Sequence, residues 1–196
     1  MSGNHASLPI AAHLRGLEQR LIDASLVTDE ELDKTLASYL AKASPVNGAR
    51  MVARAWLDES FRERLLTDAN TTMTELDLSM GGGLQEQRLK VVPNTATRHN
   101  VIVCTLCSCY PISLLGPSPS WYKSEAYRSQ VVRDPRGVLA EFDLRLPEDV
   151  EITVWDSSAE SRYMVLPMRP DGTDDMGEED LVGLVTREGL IGTAAV

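Results

Sequence analysis

All the cysteine of this chain lies in one short run, Val103-Cys104-Thr105-Leu106-Cys107-Ser108-Cys109. Three thiols within six residues cannot staple distant segments together, and an odd, clustered set is no framework for a secreted disulfide fold. The fold must therefore rest on buried apolar surface. With 43% hydrophobic residues in 196, the chain has enough for one large domain, or for a domain with an extension. The same run asks for chemistry that neighbouring sulfurs perform together.

Charge narrows the partners. The net charge is -10, whereas phosphate binding needs clustered Lys and Arg, so nucleic acid is excluded as a partner. No run approaches the roughly 18 apolar residues that cross a bilayer, so no membrane partner is expected. The opening residues carry no basic stretch ahead of a long apolar one, so no signal peptide is read and the expected location is cytoplasmic.

Pattern divides the chain in two. From about residue 8 to 78 the periodicity is helical. Leu14, Leu17, Leu21 and Ile22 recur at helical spacing, and Leu32, Leu36, Tyr39 and Leu40 then continue one apolar face. Thr28 and Glu31 between them have capping-box spacing. Pro45 and Gly48 interrupt the pattern, which resumes over 49–69 with Asp58 as the cap of a second short helix. Gly81-Gly82-Gly83 marks a sharp change. Beyond it, apolar runs at 88–92, 100–104, 151–155 and 162–167 predict strands, with helices over 124–132, 134–142 and 178–188. Asp134 followed by Pro135 suits an N-cap and first helical residue. The expected fold class is α/β: a helical N-terminal arm over 1–80, then a domain over 81–196 that layers helices on sheets and carries the cysteines. The arm is amphipathic but rather polar, which fits a solvated surface or a helix pair laid on a partner subunit.

Three readings of the cysteines compete. Structural zinc takes four Cys or His ligands as two separated pairs, and here there is one cluster. His99 would complete a Cys3His set, but a strand running into the cluster would hold it too far away; His5 and His13 sit in the arm. A Cys-x-x-Cys redox pair leaves the third thiol unexplained. The third reading is a claw. The Cys107 sulfur and the Ser108 amide nitrogen close a six-membered ring with a metal. The Ser108 and Cys109 nitrogens close a five-membered ring, and the Cys109 nitrogen and sulfur another. These donors form a square plane, Cys104 caps it, and one position stays open for Lewis-acid chemistry. Open-shell transition metals favour such a plane, and zinc does not.

The segment VCTLCSCYP resembles the metal-binding motif of the nitrile hydratase alpha subunit. The likeness continues in order through GGLQ, WYKSEAYRSQVVRDPRGVL, WDSSAESRYMVLPMRPDGTD and EEDLVGLVTREGLIG, covering roughly residues 10 to 193. The thiocyanate hydrolase gamma subunit, of the same superfamily, is similar too, although Tyr110-Pro111 fits nitrile hydratase better. The resemblance implies a lyase that hydrates a nitrile to the amide. It implies one low-spin cobalt(III) per alpha subunit, or iron(III) as runner-up, held by Cys104, Cys107, Cys109 and the amides of Ser108 and Cys109. Cys107 matches the cysteine that becomes a sulfinic acid and Cys109 the one that becomes a sulfenic acid. Thr105 matches the cobalt branch. Ser108 and Cys109 are then the catalytic positions, with the sulfenate oxygen of Cys109 acting as nucleophile or base. The partners implied are one or two beta-type chains, whose arginines meet the oxidised sulfurs.

Further residues carry two readings each. Asp156, Glu160 and Arg162 align with outer-shell groups of the family and are, by pattern alone, a polar turn between strands. Gln85 is either a loop residue or an outer-shell group. Trp121 and Tyr122 read as core aromatics, with substrate contact the alternative for Trp121. Arg128 and Arg133 read as helix-surface charges or subunit contacts. The family commonly continues CSCYPWPVLGLPP, whereas here Ile112 stands for the tryptophan and Ser113 for the next proline. An aliphatic side chain there opens volume beside the substrate and predicts a range extended to bulky nitriles. Two rivals remain: a thiocyanate hydrolase-type subunit, and a non-catalytic metal-binding assembly subunit.

Overall fold

A computed structural model describes residues 9–80 and 87–196, with side chains from residue 12 onward. It divides into two compact units, Met1–Lys42 and Ala43–Val196. The first contains α1 (Pro9–Asp23) and α2 (Asp29–Lys42). The capping box forms as its spacing predicts. Glu31 Oε2 accepts from the Thr28 N–H at 2.9 Å, and Thr28 Oγ1 accepts from the Glu31 N–H at 3.2 Å. Asp29, Glu30 and Glu31 place negative charge in the first turn of α2, where the helix dipole favours it. Leu14, Leu17, Leu26 and Leu36 are exposed.

The second unit begins with α3 (Pro45–Leu57), α4 (Glu59–Thr67) and α5 (Ala69–Thr72). Pro45, read from sequence as an interruption, starts α3: Ser44 Oγ accepts from the Val46 N–H, and proline fits the first turn. Gly48 does not break the helix either. A Cβ there would lie 2.7 Å from Leu190 Cδ1 and 3.0 Å from the Leu114 carbonyl, so glycine permits close packing. Asp58 caps α4 as expected, accepting from the Phe61 N–H at 3.0 Å. These helices bury Met51, Val52, Phe61, Leu65 and Ala69 in the core shared with the strands. Residues 43–80, expected in the arm, are thus packed within the second unit. Periodicity reports that a segment is a helix, not which surface its apolar face meets.

The strands lie where the apolar runs placed them: β1 (Arg88–Pro93), β2 (Arg98–Val103), β3 (Glu151–Asp156) and β4 (Ser161–Leu166). β1 pairs with β4 and β2 with β3, both parallel. Parallel partners need long crossovers. The crossover from β2 to β3 carries α6 (Ile112–Leu115), a 3-10 turn at Trp121–Lys123, α7 (Glu125–Gln130) and α8 (Pro135–Glu141). Asp134 caps α8, accepting from the Gly137 N–H at 2.9 Å. The helix expected over 178–188 is two, α9 (Glu178–Leu184) and α10 (Arg187–Ile191). Val185 is extended and Thr186 caps the second helix. No helix among the described residues is long and apolar enough to cross a membrane.

β2 is buried from His99 to Val103. It delivers Cys104 at its carboxyl end, beside that of β3, where Val103 pairs with Asp156. Parallel sheets commonly place their sites at this end. His99 points to another part of the fold. Its Nε2 donates to the Gly192 carbonyl at 2.7 Å, and its Nδ1 accepts from the Asn94 side-chain amide at 3.2 Å. The amide is oriented by Asn94 Oδ1, which accepts from the Asn100 N–H at 2.8 Å. His99 is therefore committed to the C-terminal turn and supplies no fourth ligand to the cysteines.

Burial holds the His99 pKa below its ordinary 6.5. A proton on Nδ1 would face the Asn94 amide hydrogens. The unfolded chain thus binds this proton more readily than the folded one. The stability that neutral His99 contributes is complete above 6.5 and is lost as pH falls from there toward the folded pKa. Urea unfolding between about pH 7.5 and 5.5 should show a falling stability, with a His99 contribution of at most about 1.4 kcal/mol per pH unit. His99→Gln should flatten that slope; an unchanged slope would refute the assignment.

Candidate metal centre

The loop after β2 gathers all three thiols. Cys104 is fully buried, Cys107 exposed and Cys109 in between. The sulfurs of Cys104 and Cys107 are 3.5 Å apart and those of Cys107 and Cys109 3.3 Å. All three lie within 4.8 Å of one another, the one such cluster of His, Cys, Asp or Glu ligand atoms among the described residues. The Cys107 N–H donates to Cys104 Sγ at 3.3 Å, and the N–H groups of Ser108 and Cys109 face the Cys107 sulfur. Sulfurs and the backbone nitrogens of 108 and 109 therefore share one small space. Soft sulfur with amide nitrogen, and no imidazole or carboxylate in the cluster, suits a thiophilic transition metal.

Electrostatics separates the outer two thiols. The hydrogen bond with Cys109 brings the Cys107 pKa down to about 7. Burial first, and that same hydrogen bond second, push Cys109 up to about 12, with the Arg162 cation pulling the other way. Negative charge therefore rests first on Cys107, and thiolate is the form that ligates metal.

Three side chains hold the loop and a fourth holds the strand that leads into it. Asp156, at the end of β3, accepts from the Thr105 N–H at 2.9 Å and from its hydroxyl at 2.5 Å. Arg128 on α7 donates through Nη1 to the carbonyls of Thr105 at 3.4 Å and Cys107 at 3.3 Å. The Tyr122 hydroxyl donates to the Cys109 carbonyl at 3.1 Å, and that of Tyr127 to the Ile102 carbonyl at 2.7 Å. Burial raises the pKa of both tyrosines, so they stay protonated as donors.

Of the outer residues read from sequence, Asp156 and Thr105 are joined at the loop. Arg162 is buried and organises the turn before β4, its Nη1 donating to the carbonyls of Ser158, Ala159 and Ser161. Its charge reaches Cys109. Glu160 accepts from the Ser158 hydroxyl at 3.0 Å on that same turn and is not one of the clustered ligand groups. Gln85 lies outside the described residues. Ile112 opens α6, half-buried against the core. Trp121 packs in an aromatic cluster, its ring 4.9 Å from Tyr127 and 4.6 Å from Phe142. Sequence reasoning missed the roles of Tyr122, Tyr127 and Arg128. The available signal was a phenol at a core position, whose hydroxyl must find a partner.

Among the described residues, the buried side-chain nitrogens without a hydrogen-bond partner include Arg128 Nε, on the side chain that meets the loop, and Arg162 Nε, on the side chain that organises the turn before β4. Ser157 donates its N–H to the carbonyl of Val103, next to Cys104.

Comparison with known proteins agrees with this geometry. Residues 9–194 match the family described as nitrile hydratase, alpha chain. The low-molecular weight cobalt-containing nitrile hydratase subunit alpha of Rhodococcus rhodochrous is 50% identical over 185 residues, covering 94% of this chain and 88% of that protein. A double mutant of the iron-type nitrile hydratase from Comamonas testosteroni Ni1 superposes with a TM-score of 0.86 at 37% identity, covering 99% of this chain and 92% of that one. A recombinant thiocyanate hydrolase with partially modified cobalt centres also gives 0.86 at 37% identity, over 95% and 89%. By matching sequence along nearly its whole length and by the fold that carries its cysteine loop, this chain belongs to the nitrile hydratase alpha-chain family.

Proposed function

We propose that this chain is the alpha subunit of a cobalt-containing nitrile hydratase, which hydrates a nitrile to the amide in a complex with beta-type subunits. The observation that carries this reading is the cysteine loop, with three sulfurs within 4.8 Å, in a chain of this family. In the overall change, the oxygen of water goes to the nitrile carbon and its two hydrogens finish on the nitrogen. The sulfurs of Cys104, Cys107 and Cys109, with the backbone nitrogens of Ser108 and Cys109, would hold one cobalt(III) per alpha chain. Bound there, the ion supplies Lewis acidity at an open position. The cobalt-containing relative and Thr105 support cobalt over iron(III).

The chain's own residues suit this role. Oxidised by molecular oxygen, Cys107 would gain two oxygens and Cys109 one, and the Cys109 oxyanion would feel the charge of Arg162. Its Nε, buried and without a partner, is a ready donor to such an oxygen. Asp156 fixes Thr105 and through it the start of the loop. Leu106, Cys107 and Ser108 are exposed, as are the arm leucines, and a beta-type chain would cover them. A reducing cytoplasm would deliver the thiols unpaired.

The test is co-expression with the beta-type partner in cobalt-rich medium. The expected result is about one cobalt per alpha chain, two and one added oxygens on the cysteine peptide, and conversion of a small nitrile to the amide alone. Zinc with free thiols, or turnover of thiocyanate in place of nitriles, would defeat the reading.

Substrate range is a separate expectation. If Ile112 borders the pocket, Ile112→Trp narrows it. Overfilling a tight site costs about 1–3 kcal/mol. The kcat/KM for a bicyclic nitrile should then fall about ten- to a hundredfold relative to that for a small aliphatic one. An equal change for both nitriles would assign Ile112 to packing.

A further inference from the structure

We infer that Arg128 is a positioning residue that holds the cysteine loop in its metal-ready shape by gripping the Thr105 and Cys107 carbonyls, an inference that rests on the metal reading above. Read from sequence, Arg128 was a helix-surface charge or a subunit contact. In the fold it is half-buried on α7, and one nitrogen, Nη1, reaches both carbonyls, at 3.4 and 3.3 Å. Its Nε is shut away from solvent.

The middle of the loop needs such a grip. Asp156 holds the loop at Thr105 and Tyr122 at Cys109. Between them Leu106, Cys107 and Ser108 are exposed, Leu106 by 86%, and gain little from burial. The Cys107 carbonyl and the Ser108 N–H belong to one planar trans peptide unit and point in opposite directions. Drawing the oxygen toward α7 therefore turns the Ser108 nitrogen away from α7. In this structure that nitrogen faces the Cys107 sulfur, as a claw of sulfur and amide donors requires. Holding the peptide this way removes in advance conformational freedom that a metal would otherwise have to freeze.

The experiment uses the full chain in complex with its beta-type partner, freed of metal and titrated with cobalt(II). Three variants are compared with the parent. Arg128→Met removes the donors. Arg128→Lys keeps a cation on a stem that ends one atom short of Nη1. Arg133→Met alters a neighbouring cation that lines the same hollow of about 350 Å³. Both Arg128 variants should weaken cobalt(II) binding about 10- to 100-fold and shift the sulfur-to-cobalt absorption band, while Arg133→Met does neither. The melting temperature of the metal-free complexes should stay within a few degrees (about 3 °C) of the parent. Hydrogen exchange of the metal-free loop should be about tenfold faster in the Arg128 variants.

Parent-like cobalt binding in Arg128→Met overturns the inference. Should that variant fail to assemble, parent-like binding in Arg128→Lys overturns it. If the parent itself takes up no cobalt, the metal reading fails, and unchanged loop exchange in the variants then sinks the Arg128 grip on its own evidence.

Discussion

Replacing Cys104, Cys107 or Cys109 by alanine, one at a time, is expected to remove tight cobalt binding and to reduce nitrile turnover to background, a loss of at least about 10⁴-fold. The three sulfurs share one site within 4.8 Å, and no other ligand side chain among the described residues enters that cluster. No neighbour can therefore replace a missing sulfur. The three substitutions differ in what else they disturb. Cys104 is fully buried at the end of β2 and accepts the Cys107 N–H, so its truncation also leaves a small cavity and an unmet donor. Cys107 is exposed, and its loss should leave the fold intact. Cys107→Ala is thus the cleanest test. The melting temperature should hold while cobalt per chain falls below about a tenth of the parent value. Full cobalt and activity in Cys109→Ala would show that the claw is wrong.

Gly192→Ala is expected to destabilise the chain by about 3 kcal/mol or more. Gly192 sits after α10 at φ +91°, a conformation that L-residues with side chains rarely adopt. A Cβ there would lie 2.0 Å from the Asn100 carbonyl oxygen and 3.0 Å from Val101 Cα. Both are backbone atoms of β2, so no side-chain rotation relieves the clash. The Gly192 carbonyl is also the acceptor for His99. The strand that would have to move carries Cys104 four residues further on, so the damage should reach the cysteine loop. At about 2–4 °C per kcal/mol for a chain of this size, the melting temperature should fall by at least about 6 °C. Gly183→Ala in α9, where a Cβ meets nothing within 4 Å, is the matched control and should be neutral or slightly stabilising. A Gly192→Ala protein melting within about 2 °C of the parent would contradict the packing described for β2 and α10.

The sequence by itself determined the features set by a few adjacent residues. The box of Thr28 with Glu31 and the caps at Asp58 and Asp134 depend on interactions spanning three positions, and the four strands show as short apolar runs, so spacing and pattern reveal them. The cysteine cluster belongs with these, because its ligand atoms come from one turn of chain. Only the tertiary structure decided the rest. Gly48 looks like a breaker until Leu190 is seen to press against it, whereas the Ser44 cap that lets Pro45 start α3 is local and was there to be read. The last helix splits at Val185, and nothing in its apolar spacing announces the break. The pairing of β2 with β3 joins residues some fifty positions apart, and it alone brings Asp156 to Thr105. Arg128, Tyr122 and Tyr127 acquire their roles the same way, since a guanidinium or a phenol reads as surface or core until folding shows which carbonyl it meets. Donor chemistry is local and was legible as residue types. The orientation of those donors is fixed by hydrogen bonds from other elements, which exist only once the chain has packed.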